Sequence, residues 1–131
     1  MAKRPAHRPA SVYALAGIRL FNGATGLLTP SVLIRRLDPD HEPGPAAVYA
    51  FRLFGIRTVL LGLDLLTHDG ARLHEDLRKA VLIHGSDTAT AAMLGIRGQV
   101  PPRTAALITL ISATNTLLAA TGDNAGKRKR E

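Results

Sequence analysis

Residues 106–120 read ALITLISATNTLLAA, a run with no charge on any face. A helix on the surface of a soluble bundle carries about three apolar positions in seven and turns a charged face to water. This stretch has no such face, so it reads as a helix surrounded by apolar material. Three further segments share its character, residues 11–34, 46–68 and 79–97, and the quoted run lies inside a fourth at 103–121. Each is roughly 20 residues long, enough to cross the ~30 Å hydrocarbon layer of a bilayer at about 1.5 Å per residue. The expected fold class is all-α: a four-helix transmembrane bundle occupying residues 11–121 as one domain.

The charges between the segments give the orientation. The chain has 131 residues and a formal net charge of +7. Four spans put both termini on one side. That side holds Lys3, Arg4, Arg8, Arg72, Arg78, Lys79, Lys127, Arg128, Lys129 and Arg130, and the other holds Arg35, Arg36, Arg97 and Arg103. The excess marks the side with the termini as cytoplasmic. The basic ends thus act as orientation signals. A soluble helical protein binding nucleic acid through those ends would explain neither the alternation of charge nor the apolar segments. No nucleic-acid partner is therefore expected, and the expected partner is the lipid bilayer. Arg outnumbers Lys 13 to 4, which suggests a GC-rich bacterial genome and a multi-pass protein of the cytoplasmic membrane. With no cysteine there is neither a disulfide framework nor a thiolate metal site.

Turn chemistry divides the segments. Residues 1–10, MAKRPAHRPA, read as a disordered basic arm, with Ser11 as N-cap of the first helix. That helix runs to about Pro30 or a turn beyond. Residues 35–45, RRLDPDHEPGP, form a loop. The second helix runs from about Ala46 and ends before His68-Asp69-Gly70. Residues 69–78 form either a short amphipathic helix or the start of the third. Gly98 and Pro101-Pro102 end the third helix, and Gly122 is a C-cap candidate for the fourth. Residues 122–131 read as a disordered basic tail. Val12 to Ile18 form too short an apolar run for a signal peptide, because Arg19 interrupts it. Tyr13 and Tyr49 stand at segment starts on opposite sides, where aromatic anchors belong.

Ionisable residues inside the apolar segments are the candidate site. A charge at the bilayer centre costs about 2.5–3.5 kcal/mol even on lenient scales, so such residues face the bundle interior, pair with one another, or mark a pathway. Helical spacing puts Arg19 with Gly23 and Gly26, and Asn22 beside them. It puts Arg57 with Leu61 and Asp64, His84 with Asp87, and Asn115 with Ser112. Depth places all of these, but not Arg52, toward the cytoplasmic half. The expected polar cluster is therefore Arg19, Asn22, Arg57, Asp64 and Asn115, with His84 and Asp87. It is charge-balanced, Arg19 and Arg57 against Asp64 and Asp87. It serves either as a structural clasp or as the lining of a small-molecule site.

His84 and Asp87 are the candidate catalytic pair. At i, i+3 a carboxylate can orient an imidazole and raise its basicity. A membrane-embedded enzyme using acid–base chemistry on a lipophilic substrate is the alternative function, with Arg57 or Arg19 holding an anionic group. Ser86 and Ser112 are the available hydroxyls. One histidine and two carboxylates fall short of a metal ligand set, and His84 would be the sole axial ligand for a haem. No metal is expected, the cofactor is unknown, and a homo-oligomer is compatible with the pattern.

The stretches GIRLFNGATGLLTP (17–30), YAFRLFGIRTVLLGLDLL (49–66), IHGSDTATAAMLG (83–95) and SATNTLLAA (112–120) resemble an uncharacterised family of small four-helix integral membrane proteins from GC-rich bacteria. The layout is similar to the DoxX-like group. The resemblance implies the fold and the membrane location, and no activity.

Overall fold

The computed structural model describes residues 7–128, which form five α-helices and no strand. They are α1 (Ala10–Leu28), α2 (Pro30–Leu37), α3 (Pro45–Thr67), α4 (Gly70–Ile96) and α5 (Pro102–Arg128). Three of them begin on proline. A proline at the first helical position gives up an N–H that would have no partner there, and its fixed φ already suits a helix. Pro30 therefore starts a helix instead of kinking one. It drives the preceding Thr29 out of the helical region, to φ −132° and ψ 55°, and splits the first apolar segment in two. Arg35 and Arg36 fall in the last turn of α2, so the connecting loop shrinks to residues 38–44. Thr104 Oγ1 donates to the Arg36 carbonyl at 2.9 Å and ties α2 to the start of α5.

Gly98 ends α4. It has φ +65°, a conformation only glycine adopts without strain, and the Gln99 N–H bonds back to the Leu94 carbonyl at 2.9 Å. At the other end of α4, residues 69–78 are continuous with the helix from Gly70 onward. The expected cap at Ser11 is absent. α1 starts two residues earlier, at Ala10 with Pro9 in the cap position, and the Ser11 hydroxyl is buried without a partner. Gly122 caps nothing either. It lies inside α5, buried against Val12 and Leu77, and the helix runs on to Arg128. Of the expected basic tail, residues 122–128 are thus helical, and 129–131 lie outside the described residues. Of the expected basic arm, residues 1–6 lie outside them too, while the Arg8 guanidinium is anchored on Asp69 at 2.8 Å and on the His68 carbonyl at 3.1 Å.

Two close antiparallel pairs make the body. α1 packs mainly on α3, and α4 mainly on α5; α1 meets α5 less extensively, and α3 meets α4 less again. Glycines set the α1–α3 distance. A Cβ on Gly55 would run into the backbone of Leu27 and come within 2.7 Å of the Gly23 carbonyl oxygen. One on Gly23 would meet the Val59 nitrogen at 2.7 Å. Small residues in facing turns are what let helix backbones approach without a hydrophobic drive between them. Val12, Leu15 and Ala16 of α1, Leu65 of α3, Leu77 and Ala80 of α4, and Ala119 of α5 form the one buried core cluster among the described residues. All four long helices contribute to it. It lies toward the end of the bundle that holds both chain ends.

Gly55→Ala should therefore lower stability by about 1–3 kcal/mol, because backbone atoms cannot yield to the new methyl. Gly17→Ala, where nothing lies within 4 Å, should leave it unchanged or slightly raised. Thermal unfolding followed by circular dichroism separates the two outcomes.

Candidate functional site

Arg19 organises the interior. It is 2% exposed, although its helix is short of polar neighbours. Gly62 makes room for it. A Cβ there would lie 3.2 Å from the Arg19 Cβ, so α3 comes close enough for the Leu61 carbonyl to accept from Arg19 Nη1 at 3.3 Å. From α4, His84 Nε2 accepts from Arg19 Nε at 3.2 Å. That bond fixes the histidine tautomer. Nε2 must offer its lone pair, since arginine has no lone pair to give, and the ring proton sits on Nδ1. Arg19 Nη2 is buried with no partner. Asp64, Asp76 and Asp87 act on the guanidinium electrostatically, but none is bonded to it.

The other expected residues divide around this centre. Asn115 is 4% exposed, and its Oδ1 is buried without a partner. Ser112, one turn earlier on α5, is buried as well. Asn22 is half-buried and shares with Asn115 a groove of about 460 Å³ between α1 and α5. Its walls are apolar, from Ile18 and Phe21 on one side to Leu110 and Ile111 on the other, with Gly17 leaving space. Asp64 is half-buried on α3, away from the groove, 3.8 Å from His68 Nε2. Arg57 does not join the cluster; it is exposed on α3. Arg57 and Asp64 do share a face, but Gly55, Gly62 and Leu65 choose the buried face, roughly a third of a turn away. The interior is thus centred on one cation bonded to neutral acceptors. The expected two-against-two set of ion pairs does not form.

Asp87 also stands apart. Its side chain is 50% exposed, and Oδ2 lies 3.8 Å from His84 Nδ1, beyond hydrogen-bond length. The group that orients the His84 ring is Arg19, and it engages the nitrogen that a general base would use.

A second polar layer, not anticipated from sequence, closes the end of the bundle where the termini lie. His68 Nδ1 meets Asp76 Oδ2 at 2.7 Å, His74 Nδ1 meets Asp123 Oδ1 at 2.5 Å, and Lys127 reaches Asp123 at 3.3 Å. With Arg8 on Asp69 they tie the α3–α4 turn to both chain ends. The i, i+4 spacing of Asp64 and His68 was a signal for part of it. Nothing local couples His74 to Asp123. Among the described residues no group of three or more His, Cys, Asp or Glu is placed to hold a metal ion. Comparison of the chain with protein-family models, curated protein sequences and solved structures finds no match.

If Arg19 depends on His84, His84→Ala should destabilise the fold by about 1–3 kcal/mol, because it strands a buried charged donor. His84→Gln, which restores a carbonyl acceptor, should recover part of that. Asp87→Asn should stay within about 0.5 kcal/mol. Folded yield and melting temperature of the three variants check the order, and an equal loss in Ala and Gln variants would contradict it.

Proposed function

We propose that this is a small polytopic protein of the bacterial cytoplasmic membrane. In this reading α1, α3, α4 and α5 cross the bilayer, with both termini cytoplasmic in a DoxX-like layout, and the bundle binds a lipophilic small molecule between α1 and α5. Two helices, α3 and α5, are long and apolar enough to cross a membrane. What supports the membrane reading most is how little of them the chain itself covers. The apolar window of α3 is 11% buried and that of α5 is 28% buried, whereas the core helix of a soluble bundle would be mostly covered. Phe21, Leu28, Leu82, Ile96, Leu110 and Leu117 are all exposed as well, which suits a lipid environment.

The binding reading rests on one observation. Arg19 Nη2 and Asn115 Oδ1 are a donor and an acceptor, both buried and both unpartnered, and Asn115 also lines the α1–α5 groove. Buried polar atoms are almost always satisfied, and exceptions of this kind point to a missing partner. A molecule with an apolar body and a head group carrying both an acceptor and a donor, such as a hydroxyl, an acid or an amide, would suit the apolar walls and the amides of Asn22 and Asn115. Acid–base catalysis by His84 and Asp87 has less support, because the Arg19 bond would first have to break.

The test is native mass spectrometry of protein purified in mild detergent from membranes that retain it through an alkaline carbonate wash. The expected result is an apolar adduct on the native chain, lost in an Asn115→Leu variant of unchanged helicity. A native chain with no adduct, or a variant that keeps it, would sink the binding reading. Release by carbonate would sink the membrane reading separately.

A further inference from the structure

Arg57 stands at the middle of α3, exposed, with no ion pair or hydrogen bond among the described residues. A long side chain reaches the membrane surface only from near a helix end, so on the membrane reading this guanidinium needs a counter-charge at its own depth. Arg52, nearer the start of α3, is exposed and unpaired among the described residues too, so α3 carries two such cations. The exposed carboxylate in the interior of the spans is Asp87 of α4, which lacks a hydrogen-bonded partner.

The two are matched in height. One guanidinium, that of Arg19, touches both the Leu61 carbonyl on α3 and His84 on α4, so those residues are level. The helices run antiparallel. From there Arg57 is four residues back along α3 and Asp87 is three residues on along α4, about 6 Å and about 4.5 Å in the same direction. They are also matched in azimuth. The His68–Asp76 bond marks the facing sides of α3 and α4. Arg57, Leu61, Asp64 and His68 follow i, i+4, i+7, i+11 on one, and Asp76, Ala80, Ile83 and Asp87 do so on the other. The seam between α3 and α4 is far less packed than the α1–α3 and α4–α5 pairs, and both Arg57 and Asp87 are exposed.

We infer that this seam is where a second copy of the chain docks, with Arg57 of each copy paired to Asp87 of the other. A two-fold axis parallel to the helices preserves depth, so one operation supplies both counter-charges reciprocally, as an isologous interface requires. Leu53 and Leu60, exposed on α3, extend the face with apolar surface. The inference rests on the membrane reading and not on the ligand.

Two differently tagged full-length chains are co-expressed and one is captured in mild detergent. Wild-type copies should co-purify. Arg57→Asp alone and Asp87→Arg alone should each reduce capture at least tenfold, since like charges then oppose. When an Arg57→Asp copy is expressed with an Asp87→Arg copy, every pair across the interface is again opposite, and capture should return to within about twofold of wild type. Wild-type chains that do not co-purify overturn the proposal. So do single variants that stay apart together while one chain carrying both changes behaves as wild type, for that places the pair within a chain. Arg57→Gln and Asp87→Asn create no repulsion and cover the case in which the reversed charges prevent folding. Each should lower capture, and capture unchanged in both overturns the interface. A carbonate wash of the same membranes scores the membrane premise independently of capture.

Discussion

A buried guanidinium is the constraint on which the arrangement of this bundle depends. Arginine keeps its charge in any protein environment and presents five donors in a rigid plane. Placing it inside a helical bundle obliges neighbouring helices to present acceptors at fixed positions. Here α3 presents a backbone carbonyl and α4 an imidazole nitrogen, so Arg19 links α1 to both. The choice of a neutral histidine over a carboxylate has a consequence of its own. The cation is hydrogen-bonded without being neutralised, and the carboxylates that act on it, Asp64, Asp76 and Asp87, do so from outside bonding distance. Such a centre differs from a closed ion pair, in which a carboxylate would be hydrogen-bonded to the guanidinium.

Glycine makes that arrangement accessible. The α1–α3 pair is drawn together at Gly23, Gly26, Gly55 and Gly62, and only the closeness at Gly62 brings the Leu61 carbonyl to Arg19. The α4–α5 pair uses the same device at Gly95, where a Cβ would sit 2.5 Å from that of Ala105. Two tight pairs leave looser seams between them. One seam holds the groove with Asn22 and Asn115, and the other separates Arg57 from Asp87. The features with functional promise therefore lie where the close packing stops.

Much of this was legible in the residues, and the failures have physical causes. The helical segments followed from hydropathy and from Pro and Gly punctuation. Arg19, His84, Ser112 and Asn115 followed from helical spacing, and all four are buried. Arg57 was misplaced because spacing tells which residues share a face and not which face is covered. The glycines decide that, by letting one side of α3 approach α1. The break at Thr29 falls within the first apolar segment, because Pro30 excludes its predecessor from the helical region and hydropathy carries no trace of that steric effect. The layer joining His74 to Asp123 could not be read at all, since it depends on the register of α4 against α5, which no local pattern encodes.

The Arg19–His84 bond joins residues 65 positions apart, while the contact with Leu61 spans 42. A chain emerging from its N-terminus thus offers Arg19 the Leu61 carbonyl before it offers the His84 imidazole. Throughout that interval the guanidinium has one acceptor, and the unfinished hairpin carries a partly unsatisfied ion in its middle. The arrival of α4 is then the step that commits α1 to its place. Quality control during synthesis would meet this chain at its most vulnerable between the two events.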